Sequence, residues 1–414
     1  MVHLAPSSEK RNDSSALSIH DFNRVYQFER LTKPVIASGI RVGHHSLRFM
    51  HRLSLYMRSS LPVLAIILGL TIVASPANGQ RIAKYGADFL AGGVGARALA
   101  MGGAYISVAD DVYAGFWNPA GLHHVTSSEA SYMHSERFSG IVSFDYAGYA
   151  VPFSEKSVIG VTLIRSGVND IKNTLDAWDT ERNQPIPDPE SAITTFSAAD
   201  YALIVGYGKR INDRLSIGVS SKIIRRSIGD FAKAWGYSMD VGLQYRSGDW
   251  AFGLNAQDIT TMLQSWSINE SSLTNLRDVF GDDLPEGGTE LVLPVLRFGS
   301  ARNFSLAVGE LLLSVDMDVA FDGQNANSFG SGDVSLHPRI GLEYSYAQVL
   351  AFRTGLNRIQ NVEGEGLDLT PSVGAGLKWG QAALDYGFGD FAGIVSDLGF
   401  SHRISVQYRF SSSE

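Results

Sequence analysis

The sequence predicts an all-β fold, namely a transmembrane antiparallel β-barrel of about 14 strands with an N-terminal plug, or hatch, inside its lumen. Three observations predict it. Apolar and polar residues alternate repeatedly beyond residue 126. Short and long connections alternate between these segments, as in bacterial outer-membrane barrels. A stretch rich in glycine and alanine precedes the first strand and does not itself have the pattern of a strand pair.

The composition fits this class. Mean hydropathy is zero, which excludes a bundle of transmembrane helices but suits barrel strands, whose two faces average out. The 414 residues include no cysteine, so disulfides, thiolate metal sites and a lipoprotein anchor are excluded. The net charge is −8 and is carried by the part after residue 79, because residues 1–79 are basic. This acidic part argues against nucleic acid as a partner.

Residues 50–79 are predicted to be a signal peptide. The apolar run Leu61–Ala74 has 14 residues, fewer than the roughly 20 that cross a bilayer as a helix. Arginines precede it and small residues follow it, which favours cleavage before Gln80 over the alternative of a buried helix. We expect translation to begin at Met50 or Met57, so that residues 1–49 are absent from the mature protein. A cleaved export signal followed by a barrel gives the bacterial outer membrane as the expected location.

Residues 127–410 are predicted to form the barrel, followed by a short tail, 411–414. The clearest strand has aromatic and aliphatic residues on one face, from Trp235 to Tyr245, and glycine or polar residues between them. A soluble sandwich also alternates, but charges and glycines on the second face suit a wet or plugged lumen, and aromatic residues cluster at strand ends. The predicted strands are 127–134, 141–153, 157–166, 200–211, 214–226, 235–246, 249–257, 291–301, 311–321, 334–346, 348–357, 371–379, 381–388 and 400–410.

Tight turns are predicted at the periplasmic end, for example at Asn212-Asp213 and Gly380-Gln381. Longer connections are expected at the extracellular end, apart from a brief first loop at 135–140. These long loops are 167–199, 258–290, 322–333, 358–370 and 389–399. Loop 258–290 is either irregular or contains a short helix, in which four apolar residues fall on one face: Leu273, Leu276, Val279 and Phe280.

The last predicted strand has one apolar face that ends in an aromatic residue. Pairing of this strand with the first strand would close the barrel, leaving no open edge in lipid. The alternative is the last strand of a sandwich. The face consists of Ile404, Val406, Tyr408 and Phe410.

Charged residues on the polar strand faces are predicted to form a hydrogen-bonded wall around the plug. The alternative is that they line a solute pathway. These residues are Lys222, Arg226, Asp316, Asp318, Arg339, Glu343 and Asp385.

Residues 80–126 are the predicted plug. Its run GGVGARALAMGG invites comparison with nucleotide-binding glycine loops, but no strand–turn–helix unit surrounds it. The longer pattern GVGARALAMGGAYISVADDVYAGFWNPAGL resembles the N-terminal signature of the PorV/PorQ family, which is related to the FadL group of outer-membrane barrels. The resemblance is close over the plug and extends over the barrel only as a pattern of strands. The motif residues are Gly95, Arg97, Met101, Gly102, Gly103, Asp110, Asp111, Trp117, Asn118, Pro119, Ala120 and Gly121.

The resemblance implies two possible roles. A PorV-like protein would assist type IX secretion, with the translocon and the C-terminal sorting domains of cargo as partners. A FadL-like protein would transport hydrophobic compounds such as long-chain fatty acids. The motif favours the first role. The resemblance also implies that Asp110 and Asp111 accept hydrogen bonds from lumen groups or backbone. Pro119 fixes its own φ and pushes Asn118 towards an extended backbone. The favoured interpretation of Asp110, Asp111 and the Asn118-Pro119-Ala120 triplet is structural, namely that they hold the plug and touch no substrate.

No catalytic pattern stands out, so we expect no enzyme and no cofactor. The sequence has no G-x-S-x-G and no H-E-x-x-H. His123 and His124 are expected to point apart in an extended segment, which would place them poorly for a shared metal ion. His337 and His402 lie in predicted strands without an evident nucleophile partner. Outer-membrane lipids remain the one expected partner common to both roles.

Overall fold

A computed structural model describes residues 81–82, 88–179, 182, 184–273, 287–321, 330–331, 334–362, 366–390 and 400–411. Residues 1–49, the predicted signal peptide and the possible helix around Leu276 lie outside these ranges. Within the ranges, no helix is long and apolar enough to cross a bilayer.

The fold is a closed, transmembrane, antiparallel barrel of fourteen strands in the described part of the chain. Each strand pairs with the next one along the chain, and the last pairs with the first. The strands are β1 (Glu129–Arg137), β2 (Val142–Ser154), β3 (Ser157–Asn173), β4 (Thr194–Arg210), β5 (Leu215–Ile228), β6 (Ala232–Ser247), β7 (Trp250–Gln257), β8 (Val295–Ser305), β9 (Glu310–Ala320), β10 (Val334–Tyr346), β11 (Leu350–Val362), β12 (Gly366–Trp379), β13 (Ala382–Asp390) and β14 (Phe400–Arg409).

The predicted fold class and strand number are confirmed, and the physical reason is visible in β6. Trp235 and Tyr237 are about half exposed on the outer face, whereas Ser238 and Asp240 are buried on the inner face. A strand can hold this arrangement because successive side chains point to opposite faces. Closure of the barrel leaves no strand with an unpaired edge, which is necessary because lipid cannot form hydrogen bonds with exposed main-chain groups.

The closing strand β14 has the predicted outward face. Ile404, Val406 and Tyr408 are each close to half exposed, and Phe410 follows the end of the strand. The seam with β1 is tied by a buried carboxylate. Glu129 Oε1 lies 2.7 Å from Arg409 Nε, and Gln407 Nε2 donates to Glu129 Oε2 at 2.9 Å.

Two of the predicted long loops are shorter than expected. Strands β11 and β12 leave only residues 363–365 between them, so the predicted loop 358–370 is wrong. Strands β3 and β4 extend the wall into the predicted loop 167–199, as far as Asn173 and from Thr194. The two strands continue to pair through their main chains beyond the point where apolar and polar residues alternate regularly. The alternation is interrupted because the register of β3 shifts between Val168 and Ile171.

The predicted loop 258–290 is also partly wrong, because it contains two more strand segments. Met262–Ile268 pairs with the first residues of β6, from Ala232 to Tyr237. Thr289–Val292 then pairs with Met262–Ile268. Asp258 and Thr261 have positive φ angles of 55° and 56°. This local turn separates the new segment from β7, and a strand prediction that relies on unbroken alternation misses it.

The inner face of the barrel is not polar all round, which corrects another expectation. On β1 to β5 and the segment after β7, buried apolar side chains point inward. We call this surface the apolar wall. The physical reason is that these side chains pack against apolar residues of the plug. Its members are Met133, Phe144, Ile164, Ile204, Ile224 and Met262.

Candidate functional site: the plug and the lumen wall

The segment between residues 88 and 125 is packed inside the barrel as a chain of short helical turns. Gly95, Gly102 and Gly103 have φ angles of 84°, 65° and 74°, a region that residues with a β-carbon rarely adopt. These glycines therefore allow the sharp reversals between turns. The elements are α1 (Asp88–Ala91), α2 (Ala96–Ala100), α3 (Ala114–Trp117) and a 3-10 helix (Pro119–His124).

Trp117 lies at the centre of the plug and is buried. Its Nε1 donates to the Val94 carbonyl at 2.9 Å, and its ring meets the Tyr105 ring edge-on at 6.1 Å between centroids. Met101 is also fully buried in this cluster. Tyr113 continues the packing into the wall, stacking on Tyr146 at 4.8 Å. The predicted motif residues Met101 and Trp117 thus hold the plug together.

Glycines of the wall let the plug approach the strands closely. We call them the glycine belt. A β-carbon on Gly253 would lie 2.5 Å from the Ile106 carbonyl oxygen, and one on Gly341 would lie 2.5 Å from that of Met101. No such contact is tolerated in packed proteins without movement of the backbone. The belt comprises Gly160, Gly206, Gly208, Gly218, Gly242, Gly253, Gly299, Gly341, Gly355, Gly374 and Gly387.

Polar wall side chains satisfy backbone groups of the plug that no regular secondary structure pairs. Such groups are costly to bury without a partner. The bonds are Ala96 N to Ser405 Oγ at 2.8 Å, Gly102 N to Ser372 Oγ at 3.1 Å, Ile106 N to Asp316 Oδ2 at 2.8 Å, Gln244 Nε2 to Ala109 O at 2.9 Å and Asn255 Nδ2 to Trp117 O at 3.0 Å.

Asn118 has an extended backbone, with φ −158° and ψ 103°, and Pro119 begins the 3-10 helix. Asn118 Oδ1 accepts from Ala120 N at 3.2 Å, while Nδ2 donates to the carbonyls of Ile106 at 3.0 Å and of Leu243 in β6 at 3.2 Å. Its amide therefore joins the turn, the plug and the wall. Gly121 follows, close against the Ala109 carbonyl.

Arg97 of α2 is held by carboxylates from two parts of the chain. Its Nε and Nη2 donate to the two oxygens of Glu343 in β10, at 2.8 and 2.9 Å. Its Nη1 lies 3.1 Å from Asp110. Arg353 in β11 also binds Glu343, and its Nη1 lies 2.6 Å from Asp385 in β13. A continuous network of alternating charges thus joins the plug to three strands.

The paired acids of the plug have different surroundings. Asp110 is partly exposed and pairs with Arg97. Asp111 is 4% exposed, and it accepts bonds from the Tyr105 hydroxyl at 2.9 Å and the Tyr113 amide at 3.0 Å. Burial, with the adjacent Asp110, raises the pKa of Asp111 to about 7.

The remaining predicted wall charges form separate clusters within the wall. Lys222 Nζ lies 2.8 Å from Asp240 and 2.7 Å from Asp258. The other clusters are Arg226 with Asp200 at 2.8 Å, and Asp318 with Arg339 at 2.6 Å and with Arg297 at 3.4 Å.

Two cavities open beside Arg97 at the end of the barrel that carries the short turns. One has a volume of about 360 Å³ and also touches Asp111, Arg353 and Asp385. The other, of about 290 Å³, touches Asp110. Arg97 and Glu343 line both, so this ion pair forms part of the partition between them. In bacterial barrels the end with short turns faces the periplasm.

The histidine expectation is wrong in its geometry. His123 and His124 lie in the 3-10 helix, where their ring centroids are 3.7 Å apart, because the helical backbone brings the side chains together. Burial lowers the pKa of His124 to about 3. In the described ranges, no three His, Asp or Glu side chains are grouped so that they could hold a metal ion.

The structure brings Asp316 and Glu343 into contact with the plug, whereas the salt bridges of Lys222 and Arg226 join them to carboxylates of the wall. Sequence reasoning missed the glycine belt, the apolar wall, Glu129 and Arg353. The inward-facing glycines of the belt occur on ten of the fourteen strands. This recurrence was the available signal for the belt, since such positions have no side chain with which to line a pore.

No protein-family model matches the sequence, and no curated protein matches it. Solved structures do resemble it. One is the CymD monoaromatic hydrocarbon channel, with 12% identity, a TM-score of 0.50, and coverage of 78% of this chain and 99% of that chain. Another is the Pseudomonas putida toluene transporter TodX, with 13% identity, a TM-score of 0.50 and coverage of 78% and 99%. At these identities the likeness concerns the fold.

Proposed function

We propose that the protein is an outer-membrane channel for hydrophobic small molecules, of the FadL type. The observation that carries the proposal is the apolar wall. A pore for hydrated solutes has a polar lining, whereas ligand sites for apolar molecules are lined by hydrophobic and aromatic groups.

The apolar wall continues towards the extracellular rim. Phe196 and Phe231 meet there edge-on at 5.1 Å between centroids. Below them, Ile224 and Ile164 face inward, and the plug contributes Phe116 to the same cluster. A hydrophobic molecule would therefore find apolar contacts from the rim to the plug.

The plug blocks a straight path, so transport requires its local rearrangement. The two cavities at the periplasmic end supply space next to the plug. CymD and TodX are named for a monoaromatic hydrocarbon and for toluene, and these names suggest the substrate class to test first.

The test is uptake of labelled toluene and oleate by a host that lacks its own hydrophobic channel and expresses this chain. Ile224→Thr shortens the side chain by one heavy atom and places a hydroxyl in the apolar wall, and we expect it to lower uptake several-fold. Ile223→Thr is the matched control, because Ile223 is the neighbouring residue on the outer face. Uptake no higher than in the empty host would refute the proposal, provided that the barrel is present in the membrane.

A second candidate is an accessory role in type IX protein secretion, which the plug motif favours by its resemblance to the PorV/PorQ signature. This role predicts that deletion traps cargo with C-terminal sorting domains in the periplasm. Normal surface display of cargo in a deletion strain, together with loss of hydrocarbon uptake, would eliminate the second candidate and support the first.

A further inference from the structure

A band of basic and aromatic side chains crosses the outer face of β3 to β6 near the end opposite the short turns. In the strand register, Arg165 lies opposite Tyr201, Tyr201 opposite Arg225, and Arg225 opposite Trp235. Lys233 follows two residues beyond Trp235 on the same face. We call these five residues the basic band.

The position of the band relative to lipid follows from β6. Its outward residues from Tyr245 to Trp235 are apolar or aromatic. These ten steps span about 25 Å at the usual rise and tilt of barrel strands, which is the height of the apolar belt of such barrels. Trp235 is thus at one edge of the belt, and Lys233 lies just outside it, where lipid headgroups begin.

The charges of the band are only partly matched by the protein. Arg165 lies 3.6 Å from Asp145 Oδ2, and it donates to Ser143 at 3.1 Å. Asp145 is shared, since it also accepts from the Tyr132 hydroxyl at 2.7 Å and lies 2.8 Å from His134 Nδ1.

Arg225 and Lys233 have no carboxylate partner within 4.0 Å among the residues the structure describes. The Arg225 guanidinium instead lies 5.5 Å from the centre of the Trp235 ring. Both side chains are exposed. Two cations at a lipid boundary without a protein anion need a counter-charge from the surroundings, because a charge facing lipid is costly to leave unmatched.

We propose that the basic band binds the phosphate groups of an outer-leaflet glycolipid. Arg225 and Lys233 supply the charge, and Arg225 offers the planar set of donors that suits phosphate. Trp235 and Tyr201 contact the adjoining acyl and sugar portions. The inference depends on the outer-membrane location proposed above, and it is independent of the transported molecule.

The test compares lipids bound to the purified full-length barrel by native mass spectrometry. The probes are bisphosphorylated lipid A, phosphatidylcholine and inorganic phosphate. In the double variant Arg225→Gln, Lys233→Gln we expect the affinity for lipid A to fall about thirtyfold, since each basic residue near an anionic membrane surface contributes a factor of about five. Binding of phosphatidylcholine should not change.

The matched control is the double variant Lys209→Gln, Arg210→Gln, which removes two exposed basic residues at the opposite end of β4. Its lipid A binding should stay within about twofold of the unchanged protein, a smaller effect than two band charges would give. Unchanged lipid A affinity in the Arg225/Lys233 variant would overturn the proposal. So would a parallel loss of phosphatidylcholine, or displacement of lipid A by millimolar inorganic phosphate. Uptake of hydrophobic molecules is measured separately, so failure of the channel function would be recognised independently.

Discussion

Arg97 of the plug and Glu343 of β10 form a bidentate ion pair, although they are 246 positions apart in the chain. Both line the two cavities at the end of the barrel that carries the short turns. Movement of the plug would therefore change the shape of both cavities. The two partners are not equivalent, because Glu343 also binds Arg353 and would keep that partner if Arg97 were removed.

The first prediction concerns that asymmetry. Glu343→Gln leaves Arg97 and Arg353 without their shared carboxylate, whereas Arg97→Gln leaves Glu343 paired with Arg353. We expect the Glu343 variant to lose about 3 kcal/mol or more of stability, as when a buried pair is broken, and the Arg97 variant to lose less. Heat-dependent migration of the folded barrel on gels measures both.

Ion conductance in planar bilayers gives a second readout for the same pair of variants. Weaker attachment of the plug should raise the open probability in both. Arg226→Gln is the control, because it breaks an ion pair between the wall strands β5 and β4. Equal stability of the two ion-pair variants would contradict the predicted asymmetry.

The second prediction concerns the glycine belt. Gly253→Ala forces a methyl group against the Ile106 carbonyl, 2.5 Å away, and overpacking of this kind costs about 1–3 kcal/mol. Gly288→Ala is the control, since nothing lies within 4 Å of its added methyl group. The apparent melting temperature should fall for the first variant only. A drop of similar size in both would show that close approach of the plug is not the cause.

The third prediction concerns pH. Because the pKa of Asp111 is raised to about 7 in the folded protein, the folded state binds a proton that the unfolded state releases near pH 4. Folding is therefore most favoured by this group below about pH 4, and that contribution is lost as pH rises to about 7. Asp111→Asn should reduce the fall in melting temperature between pH 5 and pH 8.

A matched variant separates Asp111 from its neighbour. Asp110→Asn removes a partly exposed carboxylate whose charge repels that of Asp111. It should therefore change the pH dependence of the melting temperature less than Asp111→Asn does. If Asp111→Asn kept the full pH dependence of the unchanged protein, the assignment to Asp111 would be wrong.

The fourth prediction concerns Lys222. Lys222→Met leaves Asp240 and Asp258 buried next to each other without their shared cation. Loss of one partner of a buried ion pair typically costs about 3–5 kcal/mol, so little folded barrel should remain. Lys209→Met, on the exposed outer face, is the control. Normal folded yield of the Lys222 variant would indicate that the two carboxylates find other partners.

Most of the barrel could be predicted from local sequence, because lipid imposes a period of two on the outer face. Trp235 and Tyr237 illustrate this rule. The rule fails where the backbone departs from it. Positive φ angles at Asp258 and Thr261 hide the segment Met262–Ile268, and alternation gives no sign of the extension of β11 and β12 towards residues 363–365.

The candidate site was predictable only in part. The plug motif could be found in the sequence, because its glycines and the Asn118-Pro119 pair have local conformational consequences. The charged wall residues were recognised as inward-facing, but their partners were not, since Arg97 meets Glu343 only when the plug is packed inside the closed barrel. Arg353 and Glu129 drew no attention for the same reason.

By itself, the sequence determined the strand period, the approximate number of strands and the presence of a glycine-rich plug, since each depends on residues close together in the chain. Only the tertiary structure decided which inward-facing positions are apolar, which glycines admit the plug and which charges pair. Those properties arise from contacts between segments that are distant in the chain. The free energy of such a contact depends on how deeply it is buried, and the type of a side chain does not reveal which residue it will contact.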